Sequence, residues 1–191
     1  MKAIRIVIFA LIVVFSHSLF AQPDRVYTSL KEINDPSQVY KLKLNYKRLH
    51  QIPPQVFTFT NLTELDLSKN FIDSIPPQIA RLQNLERFNI CRNRLHSVPD
   101  SIGFLPNLKY LNLGRNPILD LPESMGQLAE LEELVLYLTG VISVPATFFT
   151  LNYSLKLLDM RACPLDYDQQ VAIEEILPRP RKRWDHVCNC K

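Results

Sequence analysis

"LTELDLSKNFIDSIPPQIARLQN", residues 62–84, runs directly into "LERFNICRNRLHSVPDSIGFLPN", residues 85–107, and then into "LKYLNLGRNPILDLPESMGQLAE", residues 108–130. Leu, Asn and Pro return to the same places every 23 residues. Aligned on the first apolar residue, units begin at Val39, Leu62, Leu85, Leu108, Leu131 and Leu155; the last step is 24 residues, with the extra one in "LNYS". Within a unit, Leu65 and Leu67 flank Asp66. Alternation with period two describes a short strand with one buried face. One such strand cannot bury that face alone, but stacking on the next unit can, which predicts an α/β solenoid with a parallel sheet. Pro53, Pro76, Pro99, Pro122 and Pro145 each follow an apolar residue. Proline fixes φ and suits the first turn of a helix, so the chain is expected to return through short helical turns. Ile79 and Leu82, or Met125 and Leu128, are three apart and face inward from such a turn.

Asn70, Asn93 and Asn116 follow their strands at one fixed offset. An inward Asn offers two donors and an acceptor, enough to satisfy backbone groups of a buried turn. Lys47, Thr139 and Cys163 hold the same offset in the other units, so the ladder is expected to weaken toward both ends. Asn112, one strand over from Asn93, points to solvent by alternation, and its loss is expected to cost little.

The unit L-x-x-L-x-L-x-x-N-x-L-x-x-L-P resembles the leucine-rich repeat, and its proline resembles the 23-residue class of bacterial proteins, plant intracellular proteins and Ras-signalling scaffolds. The resemblance covers residues 39–177. It implies a horseshoe solenoid with a parallel concave sheet and short convex helical turns. It also implies a non-enzymatic module that mediates protein–protein interaction through the concave face. A solenoid needs covers at both ends. In "SLKEINDP", Ser29 and Glu32 fit a capping box and Pro36 stops the helix, with Leu30 and Ile33 over the first strand. In "LDYDQQVAIEEILP", Asp166 and Gln169 fit the same box, with Ala172, Ile173, Ile176 and Leu177 as the apolar face. Capping helices are therefore expected at both ends.

The first residues stand apart. Lys2 and Arg5 precede ten apolar residues, Ile6 to Phe15, and "SHSLFAQ" follows, the pattern of a secretory signal peptide. Cleavage is expected after Ala21, with Ser18 and Ser16 as the alternatives. The apolar run is too short to span a bilayer, so no stable membrane span is expected once the leader is removed. The implied organisation is a signal peptide over 1–21, an amino-terminal capping segment over 22–38, a repeat domain with its cap helix over 39–177, and a basic, Cys-containing tail over 178–191. The expected location is exported, periplasmic or extracellular. The chain has 191 residues and a formal net charge of +3, and without Lys2 and Arg5 it is close to neutral, which gives no footing for nucleic acid.

Strand positions that point away from the core form the concave surface. Lys69, Arg92 and Arg115 make a basic column at the eighth position of the segment, with Arg87 nearby. Tyr110, Val135, Tyr137, Leu138 and Leu157 make an apolar, aromatic patch beside it. Aromatics and Arg are the usual anchors of protein interfaces, and such exposed apolar side chains are poorly explained by solubility, so these nine residues are the candidate partner-binding set. Another protein is the expected partner; an adhesin-like or glycan-binding surface protein is the alternative, since concave aromatics fit both.

Cys91 faces the concave side and Cys163 the core, three units apart, too far for a disulfide. Cys188 or Cys190 can instead bridge to Cys163 over the cap, as an exported chain permits. The spacing of His186, Cys188 and Cys190 is not that of a standard metal site, and no metal or cofactor is expected. "RPRKRW", residues 179–184, reads as a solvated tail with Trp184 folded onto the cap. Asn61 and Asn152 match the N-glycosylation acceptor, and the triplets at Asp73 and Asp100 resemble a bacterial O-glycosylation signal. No phosphate loop, H-E-x-x-H or G-x-S-x-G occurs, and catalysis is not expected.

Overall fold

The computed structural model describes residues 23–184, so the leader and His186, Cys188 and Cys190 lie outside the described residues. The short alternating segments become strands of two or three residues: β1 Val26–Tyr27, β2 Lys41–Lys43, β3 Glu64–Asp66, β4 Arg87–Asn89, β5 Tyr110–Asn112, β6 Glu133–Val135, β7 Leu157–Asp159 and β8 Arg181–Arg183. They form one parallel sheet in chain order. Leu42, Leu65, Phe88, Leu111, Leu134 and Leu158 lie side by side through it, each buried. Burying one such side chain is worth roughly 1.5–3 kcal/mol, and the stack makes a single apolar spine.

The return path is built from 3₁₀ turns: Pro54–Thr58, Pro77–Arg81, Asp100–Phe104, Glu123–Gln127 and Ala146–Tyr153. The repeated prolines sit at the N-cap, one place before the first turn expected of them. Ile79, Leu82, Met125 and Leu128 are buried, as the spacing predicts. The last of these turns has 8 residues where its neighbours have 5, so the longer unit is accommodated on the convex side. The strands beyond it keep their pairing, Leu134 with Leu158. Successive turns approach closely at glycine. A Cβ on Gly126 would lie 2.7 Å from the Thr147 side chain and carbonyl, and one on Gly103 would overlap the Ser124 carbonyl.

The Asn ladder locks each unit to the previous one. Asn70 Oδ1 accepts from the Lys47 and Leu49 backbone N–H (2.9 and 3.1 Å), and its Nδ2 donates to the Leu44 and Leu67 carbonyls. Asn93 Oδ1 accepts from Ile72 N–H, and Nδ2 donates to Leu67 and Ile90. Asn116 repeats the arrangement toward Asn93, Leu95, Ile90 and Leu113. Farther on, Thr139 Oγ1 donates only to Leu136 O among the backbone groups, and Cys163 Sγ reaches the same carbonyl at 3.2 Å. A second ladder runs along the descending side: Asn61, Asn84 and Asn107 donate to Ser37, Thr60 and Gln83 carbonyls.

Both ends differ from expectation in detail. The amino-terminal cover is a pair of 3₁₀ turns, Leu30–Glu32 and Pro36–Gln38, with Leu30 and Ile33 packed on the core. Ser29 accepts from Lys31 N–H, two residues on, in place of a capping box with Glu32. The stretch before Pro36 is too short to nucleate an α-helix. Strand β1 supplies the remaining cover by pairing with β2 and burying Tyr27. At the other end, helix α1, Tyr167–Ile176, carries the full capping box between Asp166 and Gln169. Ile173 and Leu177 are buried and Ile176 half-buried, but Ala172 is exposed, so the inward stripe is narrower than expected.

The basic run is not a solvated tail as far as Arg183. Strand β7 would otherwise expose a row of unpaired backbone groups. Met160 N–H donates to Arg183 O and Arg181 N–H to Lys156 O, and Trp184 packs against the core. Lys182 takes the slot in β8 that Leu, Phe or Tyr fills in the other strands, where burial lowers its ammonium pKa and it donates to Pro180 O. An inward lysine makes this edge a poor template for a further strand.

Candidate functional site

Each strand presents its first and third residues to the concave face, so pairing sets the rows. The first row reads Lys41, Glu64, Arg87, Tyr110, Glu133, Leu157, Arg181; the second reads Lys43, Asp66, Asn89, Asn112, Val135, Asp159, Arg183. Arg87 and Tyr110 are neighbours, with the Arg87 guanidinium 4.2 Å from the ring centre. Burial raises the Tyr110 hydroxyl pKa, and Asn112 Nδ2 donates to that hydroxyl at 3.1 Å. Glu133 lies between Tyr110 and Leu157, so the apolar patch is interrupted in this row. Val135, half-buried, continues along its own strand to Tyr137 and to Leu138, which is 40% exposed.

Just past the end of each of β2 to β7, the backbone turns left-handed. Tyr46, Lys69, Arg92, Arg115, Leu138 and Ala162 all have φ between 54° and 58°. Non-glycine residues adopt this region at a cost of roughly 1–2 kcal/mol. The turn is held from the second row: Asp66, Asn89, Asn112 and Asp159 each accept the backbone N–H two residues on, at Ser68, Cys91, Gly114 and Arg161. These outward residues therefore do structural work that alternation does not reveal, Asn112 included. Val135 has no acceptor to offer at the equivalent place.

Arg115 and Tyr137 come together. Arg115 Nη2 donates to the Tyr137 hydroxyl at 3.1 Å and its guanidinium lies 5.1 Å from the ring centre. Arg161 lies over the same ring at 5.6 Å. Arg161 is itself held by Asp159 through Nε and Nη2 at 2.9 and 2.7 Å, with Arg183 at 3.9 Å. Burial alone would raise the Asp159 carboxyl, but its bonds to Arg161 and the charges of Arg161 and Arg183 outweigh that and hold it below the usual carboxylate range. Lys69 lies over Tyr46 at 4.4 Å and donates to its hydroxyl. Arg92 stands exposed between Lys69 and Arg115 along the column. Asp159, Arg161 and Tyr46 stand outside the nine candidate residues, and the fold gives them a part in holding the anchors.

A shallow polar depression of about 190 Å³ opens on the amino-terminal half, lined by Lys43, Glu64, Asp66, Arg87, Asn89 and Tyr110. Cys91 borders this face, and burial, reinforced by the Asp66 charge, raises its thiol pKa, the opposite of an activated nucleophile. Among the described residues no cluster of His, Cys, Asp and Glu could hold a metal, and no helix is long and apolar enough to cross a membrane. The disulfide and metal readings of Cys188, Cys190 and His186 fall outside the described residues.

The family model described as leucine rich repeat matches residues 37–89 and 83–140. No curated protein matches the sequence. Among solved structures, a leucine-rich repeat protein of Leptospira interrogans is 26% identical with a TM-score of 0.66, covering 85% of this chain and 48% of its own. An internalin of Listeria monocytogenes shares the fold at 18% identity and a TM-score of 0.65, with 80% and 44% covered. The ectodomain of a plant membrane receptor kinase from Arabidopsis thaliana, solved in complex with Casparian strip integrity factor 2, is 27% identical with a TM-score of 0.62, with 79% and 19% covered. The chain thus spans about half the length of the bacterial structures and a fifth of the plant one.

Proposed function

Because the chain belongs to the leucine-rich repeat family, we propose that it is a non-enzymatic binding module whose concave face recognises another protein. The observation that carries this is the Arg115–Tyr137 pair beside Val135 and Leu138, with Leu157 farther down the neighbouring strand. Aromatic, cationic and apolar side chains are held at the surface there by a stiff core. Such side chains dominate interface energies when a partner covers them. The plant ectodomain in complex with its integrity factor lends support, as a relative of this fold found with a protein ligand.

The candidate anchors are Lys69, Arg87, Arg92, Tyr110, Arg115, Val135, Tyr137, Leu138 and Leu157. We place the module outside the cytoplasm, in the periplasm or medium, exported by a leader over residues 1–21 and belonging to the 23-residue repeat class. The test uses a partner captured from native envelope or medium. Tyr137→Ala and Arg115→Ala are each expected to weaken its binding by about 1 kcal/mol or more. The double variant should lose less than the sum, because each side chain positions the other. Arg81→Ala, exposed on the convex turn, should bind normally. Loss at Arg81 with retention at Tyr137 and Arg115 would end the concave-face reading. Hits on a sugar array without a protein ligand would favour the glycan-binding alternative.

A further inference from the structure

The cations of the rim are positioned without being neutralised. Lys69, Arg92 and Arg115 follow one another on neighbouring strands, with φ of 58°, 56° and 56°, so their side chains leave the sheet in the same direction. Ion pairs among the described residues engage Lys41, Lys109, Lys156, Arg161 and Arg183. Among those residues, no carboxylate lies within ion-pair distance of Lys69, Arg92 or Arg115. Aromatic rings support two of the three instead. Lys69 rests on Tyr46, Arg115 on Tyr137, and Arg94, just beyond the rim, on Phe71 at 4.6 Å. Such contacts occur roughly once per 70–80 residues in proteins, but here they recur in successive units. A ring face orders a cationic side chain while leaving its charge uncompensated. The rim is thus arranged to receive negative charge with part of the ordering cost already met.

At its carboxy-terminal end the same column becomes apolar. Leu138 replaces the cation, and the edge beside it carries exposed Leu119 and Ile142. Leu119 reaches Gly140, two residues beyond Leu138, since a Cβ on that glycine would lie 2.6 Å from Leu119 Cδ2. A polyanionic sugar would use the cations and leave these side chains bare. An acidic peptide with a hydrophobic residue uses both.

Resting on the concave-face reading above, we propose that this rim selects an acidic protein segment lying across the strands, with carboxylates on Lys69, Arg92 and Arg115 and a hydrophobic residue against Leu138. Three cations one strand spacing apart span roughly 10 Å, the length of about three extended residues, so the acidic residues are expected close together in sequence.

The probe is a display library of random peptides, sequenced after selection on three forms of the full chain. These are the unaltered protein, Tyr137→Ala, and the triple variant Lys69→Glu, Arg92→Glu, Arg115→Glu. The unaltered protein should enrich clustered Asp and Glu followed by Leu, Ile or Phe several-fold over the starting library. The triple variant should lose that enrichment. A synthetic peptide of the selected sequence should weaken roughly tenfold as salt screens the rim. If charge reversal unfolds the chain, the milder Lys69→Gln, Arg92→Gln, Arg115→Gln form should show the same loss. Acidic peptides that bind the triple variant equally well would overturn the proposal, as would failure to select any peptide or binding of heparin alone. Selected peptides with no charge bias that still require Tyr137 would also overturn it, while leaving the concave-face reading intact.

Discussion

Asn93 fastens three stretches of backbone at once, to Ile72, Leu67 and Ile90. Asn93→Ala is expected to cost about 1–3 kcal/mol, since its partners stay buried without an alternative. Asn112→Ala should cost less, about 0.5–1.5 kcal/mol, the value of its bond to Gly114 N–H. Urea denaturation checks both: a midpoint for Asn112→Ala at or below that of Asn93→Ala would contradict the ordering. The sequence made the inward Asn ladder readable because a polar residue recurs among leucines at a fixed offset. It hid the role of Asn112, because alternation assigns a direction to a side chain but not a bond to its own backbone. The left-handed column was hidden for a related reason, as Lys, Arg and Leu give no compositional sign of positive φ. Arg92→Gly should therefore leave stability within about 0.5 kcal/mol, relief of strain offsetting the entropy of glycine. Arg92→Val, β-branched, should lose about 1 kcal/mol or more.

Helix α1 could be read in advance because Asp166 and Gln169 form a local signal that needs nothing from the rest of the chain. Strands β1 and β8 could not. They have two and three residues, share no repeat pattern, and pair only because the sheet has edges to cover. Asp159 links β7 to Arg183 of β8 and also holds Arg161 just past its own strand, and these contacts are acid-sensitive. Its folded-state pKa lies below the unfolded value of about 3.9, so its contribution is complete above that value and fades as pH falls through the folded one. Asp159→Asn should lose about 1–2 kcal/mol at neutral pH, and the gap should close in strong acid. A gap that persists unchanged at the lowest pH where the protein still folds would contradict the assignment. On the convex side, Gly103→Ala should cost about 1–3 kcal/mol through overlap with the Ser124 carbonyl, measured by the same denaturation.

Across the whole molecule each unit touches mainly the next, so stability is a chain of neighbour terms and not a single knot. The complete Asn bonding at Asn70, Asn93 and Asn116, against the sparser bonding of Thr139, predicts slower hydrogen exchange in β3–β5 than in β2 or β7. Uniform protection from end to end would argue against that gradient. The fold was legible at this scale because it is written six times over. The site was only partly so, because the pattern tells which residues face outward but not that Arg115 and Tyr137 meet or that Glu133 divides the apolar row. The longer convex turn at Ala146–Tyr153 has a consequence for how such a chain can change over generations. Each unit is a whole number of codons, and a length error in the convex segment leaves strand pairing intact. Misaligned crossing-over between two copies of the coding sequence would thus yield chains one unit longer or shorter that still close their core. Descendants could differ in reach as readily as in side chains.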